Sequence, residues 1–298
     1  MKHLKITLLL GAVLLTSCST SQTSLSIIKS SSSQSSSLPS LASSYSLVKE
    51  EYYRGVEGLK GKALFNKLNS IVNNGLSLRT YGNARTDLQD IDEDPADSNR
   101  CIEIYTQYSV LKTDNLFNGN NSGFWNREHT YPQSRMDIKV SNSDANRGSD
   151  LHMLHVSDSG VNGLRGSKDY YEFKDGESYS TDLVYKTRDT SGGQASTATT
   201  PCKTNTYFFE PIDEAKGDCA RSVFYMYVTY PNYCKIVRGN ANGASCTLGY
   251  LETLLKWNNQ DPVSEFEKIR NNKVESYQHN RNPFIDHPEW ADLIFENM

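Results

Sequence analysis

The sequence predicts an α+β fold, a single mixed domain of short strands interleaved with amphipathic helices. Three observations predict it. Apolar residues recur at helical spacing in four separate stretches. Between them lie short runs with the alternating pattern of a half-buried strand. No internal repeat, GxGxxG or GKS loop gives the chain another organisation, which also argues against a nucleotide-cofactor enzyme.

The start of the chain stands apart from that domain. Lys2 and Lys5 precede an apolar run over residues 6–15, a signal-peptide pattern too short to span a bilayer. Leu15-Thr16-Ser17-Cys18 resembles a bacterial lipoprotein processing site. Cys18 would then be the lipidated first residue, and acyl chains rather than a helix would hold the protein to a membrane. From residue 19 to 46, 15 of 28 residues are Ser, too few apolar groups to offset chain entropy. A tether of that kind spans roughly 30 Å. The expected organisation is a signal peptide over 1–17, a flexible tether over 18–47 and one folded domain over 48–298.

Within the domain, residues 59–72 read as a helix with Leu64, Leu68, Ile71 and Val72 on one stripe and Gly75 as the stop. Residues 85–100 carry six acids without EF-hand spacing and read as a solvated loop. Residues 101–111 alternate as a strand. Asp218 is expected to cap a core helix bearing Ala220, Val223, Phe224, Tyr227 and Val228. Residues 248–257 form a second amphipathic helix. Asp261-Pro262 is expected to begin a third, with Lys268, Arg270 and Lys273 on its exposed face as either a phosphate-facing strip or solvated charge. The run over 190–200 reads as a flexible loop.

The chemistry concentrates in Phe124-Trp125-Asn126-Arg127-Glu128-His129-Thr130-Tyr131-Pro132. A carboxylate is a hard ligand for Mg²⁺ or Ca²⁺, and a neutral imidazole accepts a proton near pH 7. In a regular strand Glu128 and His129 point to opposite faces. They share a site only if the chain bends there or if each serves a different part of it. Downstream, Ser149-Asp150-Leu151-His152-Met153-Leu154-His155-Val156 reads as a short strand. Residues 157–166 read as a turn and short helix carrying Asn162, whose amide oxygen is a second hard ligand.

These motifs together resemble the bacterial endonuclease I family of secreted or periplasmic nucleases, a branch of the ββα-metal (His-Me finger) group. The residues that carry it are Asn-Arg-Glu-His-Thr-Tyr-Pro, Asp-Leu-His-Met-Leu with Val-Asn-Gly-Leu-Arg-Gly, the stretch 217–226 and the stretch 280–288. The likeness runs from about Gly58 to the C-terminus. It departs at Met153, where many members have Asn, and at His155-Val156, where a Pro often falls. By position, His129 resembles the family's general base, and Glu128 and Asn162 resemble its metal ligands. The resemblance implies a ββα-metal motif with flanking helices. It implies a divalent-metal-dependent endonuclease acting on DNA, RNA or both, with Mg²⁺, Mn²⁺ or Ca²⁺ as the ion. Arg147 or Arg165 is the expected brace for the phosphate, with Asp150 or His152 as the orienting partner of His129. The partners expected are a nucleic acid and, through Cys18, a membrane surface; no protein partner is evident. Two other classes fit some of these features, a non-catalytic nucleic-acid-binding lipoprotein and a metal-dependent phosphodiesterase for small molecules.

The net charge is −4, and −6 once Lys2 and Lys5 leave with residues 1–17. A nuclease tolerates this if its cations are local and a bound ion offsets the phosphate. Beyond Cys18 there are five cysteines, so at most two intrachain bridges form. Cys234 with Cys246 is the first expected bridge and Cys202 with Cys219 the second. His152-x-x-His155 raises a zinc site, but strand geometry sends the two rings apart and no Cys-x-x-Cys accompanies them.

Overall fold

The computed structural model describes residues 50–118, 124–182 and 199–296. The expected signal peptide and tether, Cys18 included, and most of the 190–200 loop lie outside them.

Helix α1 (Gly61–Asn73) forms as the stripe requires, with Leu64, Leu68 and Val72 buried. The acidic segment is not the expected solvated loop. Ala84, Leu88 and Ile91 recur at i, i+4 and i+7 and drive helix α2 (Ala84–Ile91) onto the core. Its acids are tolerated because arginines meet them: Arg79 Nε donates to Asp87 at 2.9 Å, and Arg270 Nε to Asp92 at 2.7 Å. Strands β1 (Glu93–Asp94), β2 (Asp97–Ile102) and β3 (Ser109–Leu111) follow as an antiparallel sheet. The stretch read as one strand over 101–111 is therefore a hairpin. Its chain reverses where the Thr106 hydroxyl bonds Glu103 and Gln107 adopts φ 54°.

The central unit is β4 (Trp125–His129) paired antiparallel with β5 (Leu154–Asp158), followed at once by α3 (Ser159–Arg165). Asp158 caps that helix, its Oδ1 accepting from Gly160 N at 2.7 Å and Val161 N at 3.0 Å. Leu151 and Met153, expected in the strand, are buried in the turn that precedes it. A second sheet, in the order β6 (Asp169–Tyr170), β9 (Phe208–Glu210), β8 (Thr199–Thr204), β7 (Ser180–Asp182), lies beyond α3, and β10 (Lys235–Ile236) pairs parallel with β11 (Thr247–Leu248).

Helix α4 (Lys216–Thr229) is buried on nearly every side and packs against α1, α5 (Leu251–Gln260) and α7 (Pro283–Asp286). Asp218 lies inside its first turn, paired with Arg221 at 3.3 Å, and does not cap it. The helix expected from Asp261 starts later: α6 (Glu265–Gln278) opens on a Ser264–Glu267 capping box, which satisfies two backbone donors where Pro262 could satisfy none. Helix α8 (Trp290–Phe295) closes the described chain against α1. All five cysteines are free, against the two expected bridges. Cys101, Cys202, Cys219 and Cys234 are buried and pack as small apolar groups.

Arg270, expected on an exposed face, is buried and ties α6 to the central unit. It donates to Asp92, to Leu151 O at 3.1 Å and to Leu154 O at 2.5 Å, while Asp92 Oδ2 accepts from Val156 N at 2.7 Å. Removing the guanidinium strands a buried carboxylate behind β5. Arg270→Ala is therefore expected to lower stability by about 3–5 kcal/mol. Urea unfolding of the two proteins checks this; a loss below about 1 kcal/mol, the value of a surface pair, contradicts it.

Candidate active site

Register decides how Glu128 and His129 share a site. Strand β4 keeps regular pairing with β5 to its end, Glu128 opposite His155 and His129 opposite Leu154, so the two side chains leave on opposite faces. What links them is the backbone along one edge of the strand. Val156 gives its N–H to Asp92 and its C=O to Ile104 N, so neither points at β4. Arg127–Val156 is thus a non-hydrogen-bonded pair, and the Arg127 carbonyl points out from the free edge of β4. Asn162 of α3 comes to that edge: its Nδ2 donates to Arg127 O at 3.2 Å and to Asn126 Oδ1 at 2.7 Å. The backbone N–H of His129 supports the Glu128 carboxylate there as well. The strand does not bend; each residue serves a different side of one edge.

Glu128 is 3 % exposed. Its Oε1 accepts from the Tyr105 hydroxyl at 2.5 Å and faces Arg165 Nε at 3.8 Å. Burial raises its pKa; the Arg165 charge, Tyr105 and the His129 N–H oppose that rise. Both bonds of the Asn162 side chain are donated by its amino group, and among the described residues no donor reaches Oδ1. A carboxylate and a free amide oxygen on one strand edge are the donor set a hard divalent cation takes. No cluster of three or more His, Cys, Asp or Glu residues suited to a metal exists among the described residues, so the His152-x-x-His155 zinc alternative gains no further ligand there.

His129 is fixed from the loop that follows β4. Its Nε2 lies 2.9 Å from Gly148 O. A carbonyl only accepts, so Nε2 carries the proton and Nδ1 holds the lone pair. Among the described residues Nδ1 has no partner, and it is not among the sealed, unsatisfied atoms. Gly148 is required by space: a Cβ there would meet Val140 Cγ2 at 2.2 Å. The capping box of Asn146 and Ser149, with Ser149 Oγ donating to Arg79 O at 2.7 Å, holds the carbonyl in position. Burial lowers the His129 pKa to about 4, and the charges of Arg127 and Arg165 push the same way against the Gly148 bond. The Tyr81 ring lies 5.4 Å from the imidazole.

The remaining expected residues are occupied elsewhere. Arg165 is fully buried, its Nη2 donating to Thr130 O at 2.8 Å and its guanidinium 4.7 Å from the Tyr170 ring. It holds Glu128 and the end of β4 and has no surface to offer a phosphate. Arg147 donates to Met136 O and Asp137 O and stacks on Tyr233 at 3.8 Å. Asp150 accepts from Tyr225, Tyr230 and Gln278, and His152 Nε2 lies 3.2 Å from Asn280 O; neither orients His129. Tyr105, Gly148 and Tyr81 belong to the site and carry no sequence signal of it, being drawn from a turn and two loops far along the chain.

Residues 60–289 match the family model for endonuclease I. The chain is also similar to an extracellular ribonuclease of Bacillus amyloliquefaciens, 38% identical over 256 residues that cover 83% of this chain and 78% of that protein. A second relative, an extracellular ribonuclease of Bacillus subtilis (strain 168), is 36% identical over 285 residues, covering 92% and 90%. Family members are generally dependent on a divalent metal. With a family model matched over most of the domain that carries Glu128, His129 and Asn162, this chain belongs to the endonuclease I family of phosphodiester-hydrolysing nucleases.

Proposed function

We propose that this protein is an extracytoplasmic nuclease that cleaves RNA with a divalent cation, and that a lipid at Cys18 anchors it. The observation that supports the catalytic reading is that Asn162 bonds the Arg127 carbonyl and the His129 N–H supports the Glu128 carboxylate at one edge of β4, so the three residues stand on adjoining positions of that strand and α3. RNA is chosen over DNA because both curated relatives are named extracellular ribonucleases, and their name also motivates the location. The anchor rests on the sequence around Cys18.

Each residue has a task in this reading. Nδ1 of His129 takes the proton of the attacking water, and the Gly148 carbonyl keeps the ring in the tautomer that leaves Nδ1 basic. Glu128 and Asn162 would hold Mg²⁺, Mn²⁺ or Ca²⁺ through their oxygens. When bound, the cation supplies positive charge at the phosphate. Tyr105 and Arg165 hold the Glu128 carboxylate at the strand edge; they are positioning residues and touch no substrate.

Digestion of RNA and of plasmid DNA with Mg²⁺ and with EDTA tests the proposal. RNA should be cut only with the metal; plasmid cut with RNA left intact would contradict the substrate. His129→Ala should lose on the order of 10²–10⁴-fold in rate. Protonation removes the base below its folded pKa of about 4, so wild-type activity should hold level from neutral into the weakly acidic range and fall only toward pH 4. The imidazole alone, unperturbed, would give a limb near pH 6.5. A mutant within a few-fold of wild type that keeps the same acidic limb would remove His129 as the base.

The anchor has its own test. Cys18→Ala should move the protein from the detergent phase to the aqueous phase on partitioning and leave nuclease activity intact. Unchanged partitioning contradicts a lipid at Cys18.

A further inference from the structure

Most arginines that are buried near the core answer to a carboxylate: Arg165 to Glu128, Arg221 to Glu267, Arg270 to Asp92 and Arg281 to Asp286. Arg127 and Arg85 do not, among the described residues. Both are half-buried, where an uncompensated cation costs more than on the open surface. Instead of acids they have aromatic faces. The Arg127 guanidinium lies 3.4 Å from the Tyr81 ring centroid and 4.8 Å from that of Phe117, and the Arg85 guanidinium lies 4.7 Å from the same Phe117 ring.

Stacking leaves the planar N–H fork available at its rim. Arg127 gives one bond from Nη1, to Tyr81 O, and Arg85 one from Nη2, to Asn142 Oδ1 at 2.9 Å. Nε of each is buried without a partner. Alternation puts Arg127 on the same face of β4 as His129, and the Tyr81 ring touches both. Beyond Arg127, Arg85 lines an open recess of about 310 Å³ together with Lys112, Asn115 and Phe117. The two cations thus run outward from the imidazole.

We infer that Arg127 and Arg85 form a phosphate clamp that seats the backbone of a single RNA strand beside His129, Arg127 on the phosphate next to the scissile bond and Arg85 on the one beyond it. The inference rests on the nuclease reading and gives its substrate a direction across the site. It also answers which arginines meet the phosphates once Arg147 and Arg165 are committed to carbonyls and to Glu128.

Salt dependence of binding tests it, because each phosphate contact releases counterions. The probe is a fluorescein-labelled 12-residue single-stranded RNA, bound in EDTA to the full chain carrying His129→Ala so that nothing is cut. Plotted as log K against log salt, the slope should become shallower by about 0.7 for Arg85→Gln, by the same for Arg127→Gln and by about 1.4 for the pair. Arg127→Lys should restore the parent slope, since it keeps the charge. A role confined to propping up Tyr81 and His129 would change the catalytic rate and leave every slope at the parent value, and that result overturns the clamp. Arg85 has no hydrogen bond or ring contact with Tyr81 or His129 among the described residues, so Arg85→Gln decides the matter alone if Arg127→Gln does not fold: an unchanged slope refutes the clamp. The same preparation with His129 intact is assayed on RNA with Mg²⁺. Failure to cut there sinks the nuclease reading, whereas cutting with unchanged slopes sinks the clamp alone.

Discussion

The outer edge of β4, unpaired past the bridge of Trp125 to Asn115, is the constraint on which the rest of the site depends. A strand bonded on one side only leaves a row of backbone groups that must find partners elsewhere. Here β5 turns Val156 away toward Asp92 and Ile104, and beyond the single bridge of Trp125 to Asn115 the outer edge of β4 is met by side chains instead of a third strand. Asn162 caps the Arg127 carbonyl, and the Glu128 carboxylate receives the His129 N–H. The bonds that satisfy the edge therefore hold the Glu128 carboxylate and the Asn162 side chain on it, with the His129 ring carried by the next residue on the other face of the strand. Helix α3 reaches that edge because Asp158 caps it immediately at the end of β5, with no intervening loop.

Electrostatics then sets what those groups can do. Burial drives both Glu128 and His129 toward their neutral forms, raising one pKa and lowering the other. For the histidine this is useful, since an uncharged ring is the form that accepts a proton. For the glutamate it is opposed by Arg165 and Tyr105, and a bound cation would oppose it further. The sealed Arg165 is therefore more valuable as a fixed counter-charge than as a substrate contact. The cost of holding it falls on Thr130 O, Gly166 O and the Tyr170 face, all supplied by the segments that flank the site.

Much of this was legible in the sequence, and the exceptions have physical causes. Glu128, His129 and Asn162 stand in contiguous motifs, so local order alone marks them. Helix α1 was legible from its stripe to within two residues at the start and one at the end. The acidic stretch over 85–100 was misread because its charges hid the Ala84, Leu88, Ile91 stripe, and only the fold supplies Arg79 and Arg270 to pair them. Arg270 was misread for the converse reason, a charged residue on a helix whose partner is 178 positions away. Tyr105 and Gly148 could not be found at all. One acts through a hydroxyl in a hairpin turn and the other through a backbone carbonyl, and neither residue type advertises such a role.

The central claim is that the free edge of β4 is where the cation sits. Anomalous diffraction from crystals soaked in Mn²⁺ measures this directly, because the ion's position is read without reference to activity. One strong peak is expected, bonded to the Glu128 carboxylate and to Asn162 Oδ1 at the roughly 2.0–2.6 Å of hard-cation ligation and absent from Asn162→Ala crystals. A peak at His152 and His155, or among the acids of α2 and β1, with nothing at Glu128 would contradict it.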